Sequence, residues 1–97
     1  MDLNRNQIIF LIHAMHGNVS WVHLPIAGRR VVHCSRERVH PNTMDALIRR
    51  GMIQTPLPRS EDKDRRIKLT EKGSEVAKRM AQYHPEIDAR ARREEEA

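Results

Sequence analysis

Ser35-Arg36-Glu37-Arg38-Val39-His40-Pro41-Asn42-Thr43-Met44-Asp45-Ala46-Leu47-Ile48-Arg49-Arg50-Gly51-Met52-Ile53 is the stretch whose reading decides the fold. Pro41 suits the first position of a helix, where its missing N–H would find no intrahelical acceptor in any case. His40 or Asn42 is then the cap. Met44, Leu47 and Ile48 stand at i, i+3 and i+4 and form an inward face. Thr43, Asp45, Ala46, Arg49 and Arg50 are left outward or lateral. Gly51 supplies the left-handed residue that ends such a helix. Met52-Ile53-Gln54-Thr55 begins a strand that Pro56 and Pro58 interrupt, which makes it an edge strand. Arg59 to Arg65 forms a solvated tip, and Arg66 to Thr70 returns with Ile67 and Leu69 alternating against Lys68. The spacing therefore predicts a helix over 41–50 followed by a charged hairpin over 54–69. Residues 35–39 are compatible with a turn or a short helix.

On the N-terminal side, Leu3, Ile8, Phe10 or Leu11, Ile12 and Met15 recur at helical intervals up to Gly17, with Asn4 or Asn6 as cap. The unbroken apolar run Ile8–Ile12 is wider than one helical stripe, which predicts burial on more than one side, including against a partner chain. Val19–Leu24 and Arg29–Cys34 are β-prone and flank Pro25 and Gly28, so a β-hairpin is expected, with Trp21 packed in the core. On the C-terminal side Thr70 caps a further helix carrying Val76, Ala77 and Met80, and at its end Tyr83, on its apolar face, which Pro85 breaks. Gly73 in its first turn is costly in a helix and is the kind of residue that accompanies close packing. From residue 86 onward Ile87 is the only large apolar residue, and a weak helix or disorder is expected there rather than a second core element. The expected class is α+β: about three helices, a hairpin in the C-terminal half and an extra N-terminal hairpin. Residues 1–84 form one domain and 85–97 a charged tail.

The 97 residues allow one domain with a modest core. One cysteine, Cys34, rules out an internal disulfide framework and fits a reducing, cytoplasmic setting. No apolar run approaches the roughly 20 residues of a membrane span. The net charge is +5, but its placement is the sharper observation. Residues 29–68 hold eleven basic and five acidic side chains, while the segments on either side are nearly balanced. A local excess of this kind attracts polyanions. There are six histidines, but no pair of pairs has zinc-site spacing, so no metal is expected. Phosphate-loop, dinucleotide and serine-elbow motifs are missing, and no base is nominated for Cys34. The expectation is a non-enzyme without catalytic residues or cofactor.

Two pieces of the central stretch resemble a known family. Leu47-Ile48-Arg49-Arg50-Gly51-Met52-Ile53 resembles the end of the recognition helix in winged-helix transcription regulators. Asp62-Lys63-Asp64-Arg65-Arg66 followed by Leu69-Thr70-Glu71-Lys72-Gly73 resembles the wing and following helix of the MarR family. The likeness covers roughly residues 39–80. It implies that Asp64 orders the hairpin and that Arg65, or Arg66 in its place, faces the minor groove. Strands in place of the helix pair before residue 41, and a short spacing from Asp64-Arg65 to Leu69-Thr70, depart from the family pattern. The resemblance thus implies a minimal winged helix, of phage or mobile-element type, with no small-molecule sensor.

Under that reading His40, Asn42 and Thr43, with Ala46 a further candidate, reach base edges from the start of the helix, Asn42 being suited to adenine. Arg36, Arg38, Arg49 and Arg50 neutralise phosphates. Arg59, Lys63, Arg65 and Arg66 on the wing reach flanking phosphates or the minor groove. Arg49 and Arg50 also favour the helix C-terminus with no ligand at all. The expected function is sequence-specific binding of double-stranded DNA by a homodimeric transcriptional regulator. The competing expectation is an interaction module, such as a phage-type inhibitor, that presents the same face to a protein or ribonucleoprotein. Glu61, Asp62 and Asp64 lean toward that second reading.

Overall fold

The computed structural model describes residues 3–24, 29–34, 37–54 and 66–96. Its elements, in chain order, are α1 (Arg5–Met15), β1 (Val19–Leu24), β2 (Arg29–Cys34), β3 (Glu37–Arg38), α2 (Pro41–Arg49), α3 (Glu71–Tyr83) and α4 (Pro85–Glu96). The class is α+β, as the sequence predicts, with four helices rather than about three.

α1 starts on a reciprocal cap. The Asn4 side chain accepts from the Gln7 N–H at 2.8 Å, and the Gln7 side chain accepts from the Asn4 N–H at 3.0 Å. Two otherwise orphaned amides are satisfied together. Gly17, at φ 78°, turns the chain out of the helix into β1. β1 and β2 form the expected antiparallel hairpin, paired from Val19 opposite Cys34 to Leu24 opposite Arg29. β3 adds a short third strand, with His33 opposite Arg38 and Cys34 opposite Glu37. It occupies part of the stretch that the sequence leaves open between a turn and a helix. The Trp21 side chain lies outside the described residues.

The segment 66–70 is held on both sides. Ser20 bridges Arg66, and the Ile67 N–H donates to the Val19 carbonyl at 2.8 Å. On its other side Ile53 bridges Leu69, the Gln54 N–H donates to the Lys68 carbonyl at 3.0 Å, and the Thr70 N–H donates to the Met52 carbonyl at 3.1 Å. Successive residues of an extended chain point their amides in opposite directions, so one short segment can serve two neighbours. The main core lies beneath this layer: Phe10, Leu11 and Ala14 of α1, Val19, Val32, Leu47, Met52, Ile53, Ile67, Val76 and Ala77.

Tyr83, expected on the apolar face of α3, is 70 % exposed at the end of that helix. α4 differs from the expectation for the tail. It is a helix, and its Ile87 and Ala91 are buried against Ile12 of α1, with Ile8, Ile9, Met80 and Ala81 partly buried around them. The apolar breadth of α1 is thus used within the chain. Phe10, Leu11 and Ala14 face the main core, and Ile12 faces α4. Two residues four apart put their side chains on one helix face, so even a charge-rich helix can dock. Among the described residues no helix is long and apolar enough to cross a membrane.

Candidate nucleic-acid interface

α2 is built as a two-faced helix. His40 caps it, its Nδ1 accepting from the Asn42 N–H at 3.2 Å, and Pro41 occupies the first turn. Leu47 is completely buried, and Met44 and Ile48 pack partly buried beside it. Asn42, Asp45 and Arg49 follow one another at intervals of three and four residues on the opposite side, and all three are exposed. His40 and Arg50 are exposed as well, while Thr43 and Ala46 are half-buried on the flanks. Among the described residues no ion pair engages Asp45, Arg49 or Arg50.

The end of α2 is fixed to the start of α3. Gly51 takes φ 71°, and its carbonyl accepts from the Thr70 hydroxyl. The same Thr70 Oγ1 accepts from the Gly73 N–H at 3.1 Å, capping α3. Gly73 lies so close to the Met52 carbonyl that an added Cβ would stand 1.9 Å from its oxygen. These contacts set the position of α2 relative to the paired segments 52–54 and 66–70. On those segments the side chains alternate: Ile53 and Ile67 are buried, Gln54 and Lys68 exposed.

The structure therefore groups His40, Asn42, Thr43, Arg49 and Arg50 on one helix. Arg38 sits in β3, three residues before it. Arg66 is exposed and its side chain runs beside Gly17, whose notional Cβ would stand 3.7 Å from Arg66 Cδ and Nη1. That places it at the turn between α1 and β1. Arg36, Arg59, Lys63 and Arg65 lie outside the described residues, as do Asp64 and the hairpin tip. Gln54 and Lys68 are exposed on the paired segments that follow α2 and were not singled out from the sequence. The outward position of Lys68 in the Ile67-Lys68-Leu69 alternation was the available signal. Among the described residues no group of three or more His, Cys, Asp or Glu is arranged to hold a metal.

Comparison with protein-family models, with curated proteins and with solved structures returned no match, so the functional reading rests on the residues and their geometry.

Proposed function

We propose that this chain binds double-stranded DNA through α2 and the hairpin that follows it, as a small winged-helix transcriptional regulator. The observation that carries the reading is the outer face of α2. A helix anchored by Leu47 turns Asn42, Arg49 and Arg50 outward, and it is followed at once by a paired stem. A side chain such as Asn42 can satisfy the adenine edge in the major groove, and arginines neutralise phosphates. The pairing of 66–70 with β1 on one side and with 52–54 on the other supports a hairpin wing, whose expected charged tip, Arg59 to Arg65, lies outside the described residues. A homodimer would read two half-sites about one helical turn apart.

The test is binding to random duplex DNA in a salt series. Affinity should fall steeply between about 50 and about 200 mM salt, because each neutralised phosphate releases counterion. No binding at the low end would overturn the proposal and favour a protein or ribonucleoprotein partner for the same face. Sedimentation equilibrium at tens of micromolar checks the dimer, which a monomer throughout would remove.

A further inference from the structure

The pairing register lays a row of residues across the sheet that the assignment of α2 does not use. Arg38 of β3 stands opposite His33 of β2, His33 opposite Ser20 of β1, and Ser20 opposite Arg66 of the segment 66–70. Residues directly opposite one another in an antiparallel pair share a face of the sheet. Neighbouring strands lie about 4.8 Å apart, so the row spans about 14 Å. Lys68, two residues on from Arg66, returns to the same face. The alternate positions carry the core: Val19, Val32 and Ile67 are buried. On the face of the row Arg66 and Lys68 are exposed, and Ser20 and His33 are half-buried. Among the described residues no ion pair engages His33 or Lys68. Glu37, beside Arg38 in the chain, stands opposite Cys34 and so belongs to the other face. The row is bounded on both sides. Val22 opposite Val31, the next such pair along the hairpin, is apolar, and the Thr70 hydroxyl is engaged with Gly51 and Gly73.

We propose that this band, running from Arg38 through His33 to Arg66 and Lys68, is a second surface for the phosphate backbone of duplex DNA. The inference rests on the DNA-binding reading of α2 and extends it to the N-terminal hairpin. A polyanion fits the band because Arg38, Arg66 and Lys68 are full cations and none of its register positions holds a carboxylate. Duplex phosphates need only charge and donors at fixed positions, and a paired sheet fixes them. A single strand fits less well, since the row holds no Phe, Tyr or Trp on which a base would stack. Arg66 already lies along the Gly17 turn, so Lys68 and Arg38 are the positions at which the band is tested.

The experiment is a salt series of binding between the full chain and random duplex DNA, with Lys68→Ala and Arg38→Ala set beside Arg49→Ala and Arg90→Ala. Each band variant should lower the slope of log affinity against log salt by about 1, and the double variant by about 2. Thermal melts check that the variants fold; Lys68→Gln removes the same charge with a longer side chain if Lys68→Ala does not. Wild-type slopes in the band variants, with a lowered slope in Arg49→Ala, would overturn the inference and leave the reading of α2 standing. No binding by the wild-type chain at low salt would remove both. A slope lowered as far by Arg90→Ala as by the band variants would also overturn the inference, since the charge would then act diffusely. Single-stranded DNA of the same length bound as tightly as the duplex would overturn the assignment to a duplex backbone.

Discussion

At the scale of single residues, two glycines in one junction do different work. Gly51 needs a positive φ and has open space around its Cα; an added Cβ would meet nothing within 4 Å. Gly73 has an ordinary helical backbone but no room, because the Met52 carbonyl oxygen occupies the position its Cβ would take. That carbonyl already accepts from the Thr70 N–H, so it cannot retreat without losing a hydrogen bond. Gly51→Ala should cost about 1 kcal/mol, the conformational penalty alone. Gly73→Ala should cost about 3 kcal/mol or more, at the upper end of overpacking, because backbone rather than a flexible side chain must move. Denaturant midpoints of the two variants check the ranking, and a Gly73→Ala midpoint equal to that of Gly51→Ala would contradict the packing account.

At the scale of elements, α2 divides its residues by consequence. Leu47→Ala removes a fully buried side chain and should cost about 2–5 kcal/mol of stability. Asn42→Ala and Arg49→Ala touch exposed positions and should leave thermal unfolding nearly unchanged. Under the proposed function they part in binding: Asn42→Ala relaxes sequence preference, and Arg49→Ala weakens binding to all sequences alike. A competition assay between a selected site and random duplex reads both effects. α2 was legible in the sequence because its signals are local: a proline start, a glycine stop and apolar residues at helical intervals between them. The first hairpin was legible for the same reason. α4 was not, because what docks it is distant in the chain. Its Asp88 meets His16 across 72 positions, and its two buried residues, Ile87 and Ala91, are too few to make a periodic signal. β3, with two residues, has no period to read. On the candidate interface, the helix half was read from capping and face. Arg66 was assigned to the wing from motif spacing; its side chain lies along the Gly17 turn, and the expected tip of that wing lies outside the described residues.

At the scale of the whole molecule, α2 and α4 belong to different hydrophobic clusters. Both α2 and α4 pack on α1, but through different residues. Leu47 of α2 belongs to the core that takes Phe10, Leu11 and Ala14, while Ile87 and Ala91 of α4 close over Ile12. The charge follows the same division: the positive excess lies in residues 29–68, and α4 balances its arginines with carboxylates, Arg92 pairing with Asp88. Arg90 and Arg93 are exposed cations on α4, the helix that closes over Ile12 rather than joining the core that takes Leu47. Binding to duplex DNA should therefore count charges by position rather than by number. Removing Arg49 or Arg50 should reduce the slope of log affinity against log salt by about 1 each, the signature of one lost phosphate contact. Arg90→Ala and Arg93→Ala remove the same formal charge and should leave that slope unchanged, with only a small uniform loss that vanishes once the Debye length falls below the distance to the DNA. If the α4 variants lowered the slope as much as the α2 variants, the basic excess would be acting as a diffuse polycation, and the assignment of α2 as the reading helix would fail with it.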